Sequence, residues 1–226
     1  MTTAIATGRR AAVPARSVVV PICVILAVVL AGLMIRATPA VTAGDTALIR
    51  AIEGARTPFL DAVALTDGVL FSPVAALAIV GAIGAGLWLR RGIGAAVSFA
   101  ALALLPWLGS SVVKDIVRRP RPLPAELPHH VLTDTGYSFP SGHTSLAVAI
   151  GLALLLTFGA GRLRTPLLVL AVAAPLVTAF SRVYLGVHHP TDVLASLVYA
   201  TAAVLLVDAL LRLVRHWWSA RAVAVG

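Results

Sequence analysis

A chain of 226 residues suits a single domain, and with 59% hydrophobic and 12% charged residues it has too little polar surface for a water-facing globule. The apolar excess points to the bilayer as solvent, so the formal charge of +9 reads as basic punctuation of membrane helices and not as a nucleic-acid surface. Cys23 is the single cysteine, which excludes an intramolecular disulfide and a cysteine-built metal cage.

Residues 1–16 are polar, carry Arg9, Arg10 and Arg16, and read as a short tail. The apolar run 17–35 is long enough to cross about 30 Å of hydrocarbon. Small residues at Ala37, Ala40 and Ala43 also allow a signal-peptide reading, and the topology below takes the segment as retained. Across 36–69, Asp45, Arg50, Glu53, Arg56, Asp61 and Asp67 alternate with apolar residues such as Leu48, Ile49, Ile52 and Phe59. That spacing predicts one or two interfacial amphipathic helices. Further apolar runs follow at 70–89, 93–113, 142–158, 166–185 and 190–211. Between them stand Arg90-Arg91-Gly92, the proline-rich stretch 119–140, the basic turn 161–164, and His188-His189-Pro190. The expected fold is all-α: an integral membrane bundle of six transmembrane helices over 17–213, with 214–226 as a C-terminal tail. Trp217 and Trp218 read as an interfacial aromatic belt, and Asp208, inside the last run, has no evident partner.

Charge sets the orientation. With the N-terminus inside, the cytoplasmic segments hold Arg9, Arg10 and Arg16, then Arg90 and Arg91, then Arg162 and Arg164, then Arg212, Arg215 and Arg221, without an acid. The other side holds Arg36, Arg50 and Arg56, diluted by acids, and five more basic residues clustered where that rule would not put them: Lys114, the only lysine, with Arg118, Arg119, Arg121 and Arg182. Charge next to a span is costly, which makes this cluster a functional candidate.

Three segments meet at that outer face. In Ser181-Arg182 to His188 and Asp192, Pro190 suits the first turn of a helix and Asp192 lies in the same turn. A carboxylate four residues on from His188 can hold one ring nitrogen and leave the other lone pair free to attack. In Pro140-Ser141-Gly142-His143, Ser141 is a good N-cap, Gly142 allows close approach to backbone N–H groups, and His143 is placed to protonate a leaving oxygen. Lys114, Arg121 and Arg182 supply a cationic clamp for a phosphoryl group, with Pro120 and Pro122 holding Arg121 in extended chain. Each piece alone also fits an ordinary helix cap or a headgroup anchor. His129 and His130 read as loop residues, and His189 as part of the helix cap.

Together, K-x6-R-P from Lys114 to Pro122, P-S-G-H at 140–143 and S-R-x5-H-x3-D from Ser181 to Asp192 resemble the signature of the type 2 phosphatidic acid phosphatase superfamily. All three parts match, in the family's order, across residues 114–192. The resemblance implies a membrane phosphatase in which His188 attacks phosphorus, Asp192 supports it, and His143 serves as acid and then base. It implies Lys114, Arg121, Arg182, Ser141 and Gly142 as phosphate ligands, with no metal and no other cofactor. The expected partners are a lipid phosphate substrate and membrane lipids, with no nucleic acid. The substrate candidates are phosphatidic acid, phosphatidylglycerol phosphate and a polyprenyl diphosphate. The charge of Arg118 and Arg119 favours a second phosphate. A phosphotransferase with the same histidine chemistry, and a binder without turnover, stay open on these residues.

Overall fold

The computed structural model describes residues 13–127, 129 and 135–225, so Arg9, Arg10 and His130 lie outside the described residues. Eight α-helices are present among these residues. They are α1 (Arg16–Ala37), α2 (Pro39–Glu53), α3 (Pro58–Leu70), α4 (Pro73–Arg91), α5 (Ile93–Val117), α6 (Gly142–Phe158), α7 (Arg164–Tyr184) and α8 (Pro190–Val225). Each of the six apolar runs falls on a helix, and the segment 36–69 forms the pair α2 and α3.

Local chemistry sets several helix starts. Pro39, Pro58, Pro73 and Pro190 occupy first-turn positions, where the missing N–H has no intrahelical partner to lose. Thr57 and Ser72 accept from Leu60 N–H at 3.2 Å and Ala75 N–H at 3.4 Å, capping α3 and α4.

The bundle is organised around α6, which packs on α5, α7 and α8. Nearly all side chains from Thr144 to Ala153 are buried, as expected of a helix apolar on every face. The α6–α7 approach needs a glycine: a Cβ on Gly151 would stand 2.9 Å from Ala171 Cα. The outward faces of the other helices expose large apolar side chains, among them Leu26, Leu30, Leu89, Val169 and Leu194. Hydrocarbon is the solvent that makes such a surface stable.

Five helices, α1, α4, α5, α7 and α8, are long and apolar enough to cross a membrane among the described residues. The sixth expected span, α6, has 17 residues, a rise of about 26 Å. The six-span count therefore rests on this shorter helix. At the C-terminus α8 continues past the apolar run through 214–225, so the segment read as a tail is helical. Asp208, for which the sequence showed no evident partner, pairs with Arg212 at 2.7 Å one turn on.

One end of the bundle gathers the α5 C-terminus, the α6 N-terminus, the α7–α8 connection and α2. Arg36 at the end of α1 donates to Val117 O at 3.0 Å there. The opposite end is basic, with Arg91 donating to Thr157 O at 3.4 Å and Arg215 to Ser98 Oγ at 3.5 Å.

Candidate active site

His188 sits in the five-residue connection between α7 and α8, 1% exposed. Gly186, at φ +68°, turns the chain, and the Arg182 carbonyl then receives the N–H groups of Val187 (3.2 Å) and His188 (3.3 Å). This tight connection delivers His188 directly onto the first turn of α8. Asp192 Oδ2 lies 3.5 Å from His188 Nδ1 and accepts the His189 N–H at 2.9 Å.

Arg121 fixes the tautomer. Its Nη1 lies 3.1 Å from His188 Nε2 and donates to Val187 O at 2.7 Å. A guanidinium only donates, so Nε2 carries the lone pair and Nδ1 the proton, which faces Asp192. Burial lowers the His188 pKa from its ordinary 6.5 to about 3. The nearby Asp192 carboxylate opposes that shift, and the charges of Arg121 and Lys114 add to it. His188 is therefore a neutral imidazole whose Nε2 lone pair accepts from Arg121.

The extended segment carrying Arg121 begins where Arg118 adopts a left-handed conformation, φ 51°, and ends α5. Lys114, in the last turn of α5, donates to Tyr137 O at 2.8 Å and Ser138 O at 3.4 Å. A Cβ on Gly142 would lie 4.0 Å from Lys114 Cε, so the α5 end and the α6 start share one corner. Ser141, fully buried, caps α6 by accepting the Thr144 N–H at 3.4 Å. Its own N–H donates to Ser196 Oγ at 2.7 Å, and Ser196 donates to Asp192 O at 2.7 Å. That relay ties the α6 start to the turn carrying Asp192. His143 stands half-buried in the first turn of α6. Phe139, fully buried before this cap, packs where a Cβ on Gly32 of α1 would come 2.5 Å from its ring.

Two expected residues sit differently. The guanidinium of Arg182 is on α3: it donates to Ala64 O at 2.9 Å and lies 3.7 Å from Asp67 Oδ2, while Asp67 Oδ1 accepts from Thr178 at 2.8 Å. The Arg182 main-chain carbonyl accepts the His188 N–H. Arg119, expected beside Arg118 as charge for a second phosphate, is 1% exposed and sits between two carboxylates. Nη1 meets Asp192 Oδ1 at 2.7 Å and Thr191 Oγ1 at 2.6 Å, and Nη2 meets Asp45 Oδ2 at 2.7 Å. Thr191 also donates to Asp45 Oδ2. Its charge is matched inside the protein, so it is unavailable to a ligand. Neither Arg119 in this role, nor Asp45, nor Ser196 was identifiable from the sequence.

Similarity to known proteins agrees with this geometry. Residues 93–219 match the PAP2 superfamily, and the chain belongs to it. Phosphatidylglycerophosphatase B of Haemophilus influenzae is 38% identical over 99 residues, 41% of this chain and 40% of that protein. Undecaprenyl-diphosphatase BcrC of Bacillus subtilis is 42% identical over 82 residues, 36% of this chain and 39% of that protein. The match thus spans about two-fifths of the length of each of these relatives. The crystal structure of a transmembrane PAP2-type phosphatidylglycerolphosphate phosphatase from Bacillus subtilis aligns with a TM-score of 0.69 at 26% identity. It covers 83% of this chain and 94% of that one. The bundle is thus a membrane-embedded PAP2 fold.

Proposed function

We propose that this protein hydrolyses a lipid phosphate monoester or diphosphate at the non-cytoplasmic face of the membrane, through a phosphohistidine on His188. The observation that carries the reading is the pairing of His188 Nε2 with Arg121 at 3.1 Å while Nδ1 faces Asp192 at 3.5 Å. The nucleophile's lone pair is thus held against a phosphate-binding cation, and a phosphoryl oxygen that takes over the Arg121 N–H frees Nε2 beside the phosphorus it binds.

In the first step Nε2 forms a bond to phosphorus as the bond to the leaving oxygen breaks. His143 gives that oxygen its proton. The imidazole becomes cationic, keeps its Nδ1 proton, and is stabilised by the Asp192 carboxylate. In the second step His143 takes a proton from water, water oxygen attacks phosphorus, and the P–N bond breaks to release orthophosphate. Lys114 and Arg121, with Ser141 and the backbone N–H groups near Gly142, hold the equatorial oxygens, and Arg182 adds charge from the α3 side. Fixed cations provide the electrostatic stabilisation, so the reaction proceeds without a metal. The candidate substrates are a polyprenyl diphosphate, phosphatidic acid and phosphatidylglycerol phosphate. Two of these carry the chemistry named for the relatives above.

The basic far end of the bundle, which holds Arg90, Arg91, Arg162, Arg164, Arg212 and Arg215, supports this orientation. Reporters fused near residue 125 are expected outside and those near 91 inside, and the reverse result overturns the orientation. The activity is tested by phosphate release from purified protein in detergent with EDTA, using phosphatidic acid and a polyprenyl diphosphate. Release by the wild type should fall by about 10⁴-fold or more in His188→Ala. Release that survives the substitution, or that requires added divalent metal, contradicts the mechanism.

A further inference from the structure

A cavity of about 650 Å³ opens between α2 and the segment 119–126, with Arg121 in its wall. Because Arg121 also touches His188 Nε2, one guanidinium separates the cavity from the attacked phosphorus. Three further arginines line it: Arg36, Arg50 and Arg119. The charge of Arg119 is matched by Asp45 and Asp192.

Arg36 and Arg50 are different. Arg36 Nη1 donates to Val117 O at 3.0 Å, and Arg50 Nε donates to Glu126 O at 2.8 Å. Each is anchored by a single N–H on a main-chain carbonyl, which orients the fork without cancelling its charge. Among the described residues neither forms an ion pair. Glu126 is the one acid in the cavity wall. Two oriented forks held in no ion pair, beside a third that touches the nucleophile, outnumber that one acid and suit an anion with planar, multidentate oxygens.

We propose that this cavity is a subsite for a second phosphate, so that the preferred substrate is a lipid bearing two phosphate groups. The proposal rests on the phosphatase reading above and narrows its substrate class. It also relocates the charge that the sequence suggested at Arg118 and Arg119. Arg36 lies at the end of α1 and Arg50 on α2, outside the three motif segments. Second-phosphate selectivity is therefore separable from the chemistry. The competing role is non-specific attraction of bulk anionic headgroups, which discriminates nothing between substrates.

The test compares kcat/KM on matched pairs: a polyprenyl diphosphate against its monophosphate, and phosphatidylglycerol phosphate against phosphatidic acid. In Arg36→Gln/Arg50→Gln the ratio of doubly to singly phosphorylated substrate should fall about ten-fold in at least one pair, a difference of ~1.4 kcal/mol. The pair that responds reveals the spacing of the two phosphates. Equal losses on both members, or no loss, overturns the subsite. If the wild type hydrolyses none of the four lipids, the phosphatase reading fails on its own. Binding of inorganic pyrophosphate and orthophosphate to the same proteins then decides the subsite. Tighter pyrophosphate binding that the double substitution abolishes supports it, and equal binding of the two anions contradicts it.

Discussion

Replacing Arg119 with methionine removes one cation from between two buried carboxylates. Asp45 is 7% exposed, Asp192 is fully buried, and both stand 2.7 Å from the same guanidinium. Truncating one partner of a buried pair typically costs about 3–5 kcal/mol, because the remaining charge is left uncompensated. Total stabilities are about 5–15 kcal/mol, so Arg119→Met is expected to unfold at a markedly lower temperature in detergent. The catalytic consequence is separate. The second oxygen of Asp192 faces His188 Nδ1, so a rotated carboxylate misplaces the imidazole, and misplacement by about 1 Å costs on the order of 10²-fold. That loss should appear in kcat, with KM little changed. Asp45→Asn in the Arg119→Met background removes one orphaned charge. The double variant should therefore be more stable than the sum of the single effects predicts, with a coupling of about 1–3 kcal/mol. Arg119→Lys keeps the charge but not the fork, and should recover part of the stability while kcat stays low. Thermal unfolding and steady-state phosphate release are measured on the wild type and four variants, Arg119→Met, Asp45→Asn, the double variant and Arg119→Lys. Additive stability effects, with kcat of Arg119→Met within about three-fold of wild type, would refute the positioning argument.

Ser196→Ala removes the acceptor of the buried Ser141 N–H and should cost about 1–3 kcal/mol in thermal unfolding, with a matching drop in activity at temperatures below unfolding. Gly151→Leu places a side chain where even a Cβ meets Ala171 at 2.9 Å. It should separate α6 from α7 and destabilise by about 1–3 kcal/mol or more, read as a lower unfolding temperature. For His188 the folded pKa, about 3, lies below the unfolded 6.5, so the unfolded chain takes up the proton first. The stability held by the neutral imidazole is full above about pH 6.5 and is lost as pH falls toward 3. The unfolding temperature should decline over that window, and the decline should be shallower in His188→Gln.

The sequence made legible what is local. Six apolar runs found six helices, because length and periodicity decide a helix in hydrocarbon without knowledge of its neighbours. His188 and Asp192 were readable as a pair because they are four residues apart across one helix start. Arg119 and Asp45 are 74 residues apart, and Ser141 and Ser196 are 55 apart, so no local spacing announces their contacts. Arg182 shows a related difficulty. Its place at the end of α7 follows from sequence, but whether its fork turns toward His188 or α3 depends on where Asp67 and Ala64 pack. The helical character of 214–225 was not legible, because charge at Arg212 and Arg215 marks a membrane boundary and says nothing about where a helix stops.

The central claim is a phosphohistidine on His188, and trapping it tests that claim most directly. A lipid carrying labelled phosphorus is mixed with the protein in EDTA and quenched within milliseconds in alkali. The label retained on the chain is then mapped by mass spectrometry. A P–N bond survives alkali and is lost in acid, so the account predicts acid-labile label on the peptide containing His188, and none in His188→Ala. Wild-type turnover with no label on the chain at any quench time, or with label on a different residue, would contradict it.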